Sequence, residues 1–258
     1  MHPDLANKIV LVTGGSKGIG FACAQAFLSE GARVAICSRS AENIERAKAQ
    51  LPGVFGIAAD LGDAAAAAAM VDAVEAALGP IDILVNSAGA AKRSAPKDLT
   101  PAAWRAAMDA KYFTAINVID PLVKRMALRG TGVIVTLIGS GGKVASSAHL
   151  AGGAANAALM LATAGLGATY AGRGVRVLGV SPGLTETDRV AQAMNIDAKT
   201  NGITVEAARA AAVARIPIGR LAMPEEIANM VVFLASASAS YVTGTTIAMD
   251  GGLNPVVV

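Results

Sequence analysis

Residues 9–20 read IVLVTGGSKGIG. Five β-branched or apolar residues run without alternation, the pattern of a strand covered on both faces rather than one. The run then breaks into a glycine-rich turn, and apolar residues resume beyond Gly18 at the start of a helical pattern. Gly14, Gly18 and Gly20 follow the spacing G-x-x-x-G-x-G, not the more familiar dinucleotide spacing G-x-G-x-x-G. Both spacings serve the same physics. Glycines allow a tight turn and let the backbone approach a pyrophosphate held at a helix N-terminus. Alone, such a turn is equally consistent with an ordinary strand-to-helix connection, so the rest of the chain has to decide.

Working outward, the runs KIVLVT, ARVAICS, VFGIAA, IDILVNS, GVIVTLIG, VRVLGVS and TTIAMD read as strands, and between the first six lie segments long enough for crossover helices. This alternation predicts a single α/β domain over residues 1–258, Rossmann-like and doubly wound. Its seven-stranded, mainly parallel sheet has helices on both faces. Thr100-Pro101 is an N-cap and first-turn pair for one long helix through Arg129. The alanine tract 64–69 continues into AAMVDAVEAALG, with Met70, Val74 and Leu78 at helical spacing, and is read as helix, not linker. Residues from about 186 to 217 are more weakly patterned. They are expected to form a lid over the C-terminal ends of the strands, the edge where open α/β sheets bind ligands.

Composition removes several classes of function. No uninterrupted apolar run approaches the ~18 residues of a membrane span, and MHPDLANKIVLVTGG lacks the basic and apolar regions of a signal peptide. A cytoplasmic protein is expected, with no membrane partner. Cys23 and Cys37 fall on core elements and read as buried thiols. The net charge of +3 is small and scattered, so nucleic acid is not an expected partner. No metal site is expected.

Further motifs accompany the glycine turn in order: AADL at 58–61, NSAG at 86–89, SPGLTET at 181–187, IPIGRLAMPEEIA and YVTGTTIAMDGG. With TGGSKGIG at 13–20, these resemble the short-chain dehydrogenase/reductase family from about residue 7 to 253. The resemblance implies a nicotinamide-dependent oxidoreductase acting on a small carbonyl or alcohol. It implies cofactor contacts from Gly14, Ser16, Lys17, Gly18, Ile19 and Gly20 in the turn, and from Ser38 and Arg39 after the second strand. Asp60 and Leu61 would lie near adenine, followed by Asn86, Ala88, Gly89 and Asn156. Pro182, Gly183, Thr185 and Thr187 would stand beside the nicotinamide. Relatives that use the cofactor without a 2′-phosphate usually hold the ribose with an acidic residue after the second strand. Here that stretch is ICSRS, with no carboxylate to repel a phosphate. Arg39 and Lys17 can form charge-assisted bonds with one, so NADP(H) is expected over NAD(H). The competing account makes both ordinary surface charges.

The catalytic pattern breaks. The family uses a serine after the fifth strand, Tyr-x-x-x-Lys on the next helix and an asparagine on the preceding long helix. Ser140 in LIGSGG fits the serine. Counting back from Arg173 in AGRGVRVLGVSPG puts Gly152 at the tyrosine position and Asn156 at the lysine position. A one-residue gap would give Gly153 and Ala157, which are no better. The asparagine position, counted from Trp104, is Lys111. Lysine and asparagine have therefore exchanged places, and the tyrosine is absent. One reading makes Lys111 the cation of a rebuilt site, with Asn156 in a neutral hydrogen-bonding role. His149, one helical turn before Gly152, would be the proton donor, using space that a missing tyrosine leaves open. The other reading makes Lys111 a solvated helix residue, His149 a surface or cap residue and the site decayed. Two functions follow: an active oxidoreductase, or an NADP(H)-binding protein that serves as a sensor or partner subunit. The resemblance further implies a homodimer or homotetramer packed through the two long helices and the last strand, and the apolar terminus NPVVV agrees with burial there.

Overall fold

The run IVLVT forms β1 (Ile9–Thr13), with all five residues buried, in a computed structural model that describes residues 2–92 and 94–256. The other strands are β2 (Arg33–Ser38), β3 (Phe55–Ala58), β4 (Ile83–Asn86), β5 (Gly132–Leu137), β6 (Val175–Pro182) and β7 (Thr246–Met249). Their order across the sheet is β3-β2-β1-β4-β5-β6-β7. Every pairing is parallel, so the expected mainly parallel sheet is parallel throughout. The chain winds from β1 toward β3, then returns to β4 and winds the other way. The direction therefore reverses between β1 and β4, which opens a crevice at their C-terminal ends.

Helices cover both faces. α1 (Gly18–Ser29) and α9 (Pro224–Ala235) pack on one side through Cys23, Phe27, Ile227 and Val231, joined by Ile44 of α2 (Ala41–Gln50). On the other side lie α3 (Ala64–Leu78), α5 (Thr114–Arg129) and α6 (Leu150–Tyr170), burying Met70, Val74, Leu122, Met126 and Leu159. The two cysteines are free and buried in different cores, Cys23 with α1 and Cys37 on the opposite face of β2.

One expectation needs correction. The helix from Pro101 to Arg129 is not uniform. α4 (Pro101–Met108), capped by Thr100, passes into a π-helical turn at Asp109–Phe113 before α5 begins. Such turns insert a residue into the helical ladder and re-aim the side chains after it. The weakly patterned stretch is helical too, forming α7 (Asp188–Asn201) and α8 (Val205–Ala214), capped by Thr187 and Thr204. Finally, Ser147–Arg173 is long and apolar enough, by length and composition, to cross a membrane. Within the fold its α6 segment lies against β6, α4 and the turn after β5, and Gly152, Gly153 and Ala155 are buried in those contacts. Of the terminal NPVVV, Val257 and Val258 lie outside the described residues.

Candidate active site

One threonine organises the crevice. The Thr13 hydroxyl, at the end of β1, donates to Asn86 Oδ1 at 2.8 Å and accepts from the backbone of Ser87 and Ala88, both at 3.1 Å. Asn86 Nδ2 in turn donates to Ala115 O of α5. The Asn86 side chain is thus engaged with the fold on both its polar atoms. The glycine turn is held against this node. Gly14 and Gly18 take φ of 66° and 56°. A Cβ on Gly20 would meet the Gly14 carbonyl, its carbon at 2.9 Å, so no side chain fits there.

These residues suit a dinucleotide. The N-terminus of α1 receives no side-chain cap, unlike those of α2, α3, α4, α7 and α8. The orphan N–H groups of a helix start need acceptors, and here they face a crevice that glycine keeps clear. Ile19 packs into the core behind the turn, Ser16 is half-buried and Lys17 is exposed. Ser38 ends β2, with Arg39 exposed just beyond it, and among the described residues neither Lys17 nor Arg39 enters an ion pair. Asp60 is exposed and accepts from Gly62 N, while Leu61 is buried. Asn117 of α5 donates to the carbonyls of Leu61 and Gly62, a tether that sequence reading missed because its partners lie more than fifty residues away. Across the crevice Gly183 N bonds Met249 O, Thr185 is buried, and Thr187 caps α7. The Thr187 methyl would lie 3.4 Å from a Cβ on Gly18, so α7 starts directly over the glycine turn.

The chemistry-bearing residues gather beyond the ends of β4 and β5. Gly89, at φ 102°, packs so closely that a Cβ would stand 2.7 Å from Ala110 O of the π-turn. Ala90 N bonds the same oxygen. The turn aims Lys111 at the sheet, where its Nζ donates to Leu137 O at 2.9 Å. Burial pushes this ammonium down to about 8, and the charge of Arg189 on α7 adds to the shift. Lys111 is therefore no solvated helix residue. Asn156 is buried, and its Oδ1 accepts from Gly139 N at 3.1 Å. Lysine and asparagine brace one backbone stretch from two sides, at Leu137 and at Gly139, immediately before Ser140.

His149 ends a short 3-10 turn and serves as the N-cap residue of α6, outside the helix proper. Its imidazole nevertheless lies over Gly152. A Cβ there would stand 2.9 Å from Nδ1 and closer still to Cε1 and Nε2, and one on Gly141 would stand 3.7 Å from Cδ2. The histidine ring fills the space above Gly152 that the missing tyrosine leaves. The turn Ser140–Gly142 packs closely on α6: a Cβ on Gly153 would come 2.8 Å from Gly141 O. The glycine pairs in SGG and AGG were the available signal for this contact. Ser140, half-buried, opens this turn, whose Gly141 lies near the ring. A cavity of about 410 Å³ lies elsewhere. It is bounded by α8, the segment from Gly219 to Met223 and the ion pairs Glu186–Arg209 and Arg220–Glu226. That cavity touches neither the glycine turn nor Ser140.

A family profile described as enoyl-(acyl carrier protein) reductase matches residues 14–254. The D-threitol dehydrogenase of Mycolicibacterium smegmatis is 36% identical over 252 residues, covering 96% of this chain and 93% of that one. The cis-4-hydroxycyclohexanecarboxylate dehydrogenase of Sinomonas cyclohexanicum is 34% identical, covering 99% and 100%. Among solved structures, an actinorhodin polyketide ketoreductase variant with NADPH superposes at a TM-score of 0.93 and 30% identity, covering 99% of this chain and 100% of that one. The chain belongs to the short-chain dehydrogenase/reductase family of nicotinamide-dependent carbonyl and alcohol oxidoreductases.

Proposed function

We propose that this chain is an NADP(H)-dependent oxidoreductase interconverting a ketone and a secondary alcohol, with His149 in the proton-transferring position. The observation that carries the reading is the His149 ring lying over Gly152 beside the Ser140 turn. NADP(H) supplies or accepts the hydride when bound. In the reducing direction Ser140 Oγ donates a hydrogen bond to the substrate oxygen. His149 delivers the proton as charge develops there, and solvent reprotonates the imidazole. Lys111 holds the turn and places positive charge near the developing alkoxide. Asn156 keeps the Ser140 backbone in register through Gly139.

The absence of a carboxylate after β2, together with exposed Arg39 and Lys17, supports the phosphorylated cofactor, as does the NADPH held by the ketoreductase neighbour. Residues 186–217 act as a lid, anchored where Thr185 bridges Ala222. Exposed Trp104, Phe113, Leu128 and Leu161 on the long helices fit a homodimer or homotetramer, and two free buried thiols fit the cytoplasm.

The test pairs cofactor affinity with turnover on a carbonyl panel. His149→Ala should lower kcat by about 10²–10⁴-fold, the usual weight of a general acid, with NADPH affinity unchanged. Gly152→Ala, which displaces the ring, should lower kcat similarly, and the double variant should be no worse than either alone. Full activity in His149→Ala would remove the histidine from the reaction.

A further inference from the structure

One helix start pins three segments at the C-terminal ends of the strands. From the π-turn, Lys111 Nζ donates to Leu137 O at the end of β5, and in the first turn of α5, Ala115 O accepts from Asn86 Nδ2 at the end of β4. The third link is Asn117, whose Nδ2 donates to Leu61 O at 2.9 Å and to Gly62 O at 3.3 Å in the loop after β3. That loop has little else to hold it. Asp60 accepts from Gly62 N and Asp63 caps α3, but of residues 60–63 only Leu61 is buried. The anchor is firm by contrast, because Ala115, Val118 and Ile119 on either side of Asn117 are buried in the core. Ala59 N bonds Ser38 O, so the same loop stands beside the end of β2, next to Arg39.

In a doubly wound sheet the adenosine half of a dinucleotide lies on the side of the first two strands, where a residue after β2 reads its ribose. The loop after β3 borders that side. We propose that Asn117 is a positioning residue for the adenylate half of the cofactor. It acts through the loop, fixing the backbone at Leu61 and Gly62 and with it the exposed Asp60. An adenylate then meets a surface already in place, and the ordering of the loop is not charged against binding. A side-chain amide suits the task, since it presents two N–H donors to two carbonyls. A leucine of similar size presents none, and a carboxylate repels both oxygens. The role rests on the dinucleotide binding of the family. It depends neither on the choice between NADP(H) and NAD(H) nor on the part given to His149.

The experiment measures adenosine 5′-monophosphate and adenosine 2′,5′-bisphosphate by calorimetry and NADPH by nicotinamide fluorescence, in the wild type, Asn117→Leu and Asn117→Asp. Each variant should bind all three ligands about three- to tenfold more weakly, the weight of one ordinary hydrogen bond. The factor should be the same for the two adenylates, because the 2′-phosphate takes no part. The emission of NADPH bound at saturation should match the wild type, since the links at Lys111 and Asn86 are untouched. Unchanged adenylate affinity in both variants overturns the proposal and leaves the family's cofactor binding standing. A loss confined to the bisphosphate also overturns it, by moving the effect to the 2′-phosphate. So does altered emission of the saturated complex, the mark of a general loosening that a merely structural residue would cause. Should the variants not fold, hydrogen exchange on the wild type carries the test: adenosine 5′-monophosphate should slow exchange of the amides of residues 59–63, and unchanged rates there sink the proposal.

Discussion

Arg39 and Lys17 stand exposed beside the start of the glycine turn, and a single substitution there separates the two cofactors. Arg39→Asp should weaken NADPH binding by about 1.5–3 kcal/mol, the range of a hydrogen bond to a charged group, and leave NADH binding level or improved. Equal losses for both cofactors in a fluorescence titration would return Arg39 to the ordinary surface. Lys111 gives a test of another kind. Burial holds its folded pKa near 8, below the ordinary 10.5, so between those values the unfolded chain binds a proton that the folded chain does not. Stability should therefore rise with pH across that window. Lys111→Met should abolish the rise and stabilise the protein at pH 7 by roughly 1–3 kcal/mol, a range kept below the full shift because part of the side chain remains exposed. Urea unfolding of both proteins at pH 7 and near pH 10 checks the sign, and parallel profiles for the two would refute it. The identity of these residues was legible from counting along the chain. Their geometry was not, because Lys111 meets Leu137 only when a π-turn has re-aimed it.

Elements announced themselves by pattern wherever the local signal was strong. Unbroken β-branched runs marked β1 and its parallel neighbours, Thr100 marked the start of α4, and the alanine tract read as α3. The π-turn and the helices α7 and α8 left no such mark. The first depends on Gly89 packing against Ala110, and the second pair buries little of its own surface. The end of α9 shows how far apart such partners can lie. Arg176 of β6 donates to Leu234 O at 2.7 Å, Ser236 O at 3.0 Å and Ala235 O at 3.2 Å, satisfying the last carbonyls of a helix some sixty residues later. Positive charge at a helix C-terminus adds to this. Arg176→Met keeps the aliphatic stem but strands those acceptors, and should lower unfolding stability by about 2–4 kcal/mol. A loss below half a kcal/mol in denaturant titration would mean that water replaces the guanidinium.

At the scale of the whole molecule the two cysteines report on global opening. Burial pushes Cys23 and Cys37 each up to about 12, and they occupy cores on opposite faces of the sheet. The thiolate is the reactive form. Both should resist a thiol reagent at pH 8 in the native state and label together, at the rate of global unfolding, in denaturant. Labelling of Cys23 well before Cys37 would show that the α1–α9 face opens on its own. The sequence by itself determined the strands, the glycine turn, the family and the positions where the usual tyrosine and lysine are missing. Each of these is written in local order or in the spacing of a few neighbours. Tertiary structure alone decided that the sheet is wholly parallel and that His149 fills the space over Gly152. It likewise decided that the Asn86 side chain bonds to Thr13 and to Ala115 and that Lys111 reaches Leu137. Those outcomes depend on contacts between segments distant in the chain, where packing and desolvation, rather than local propensity, set each side chain's surroundings.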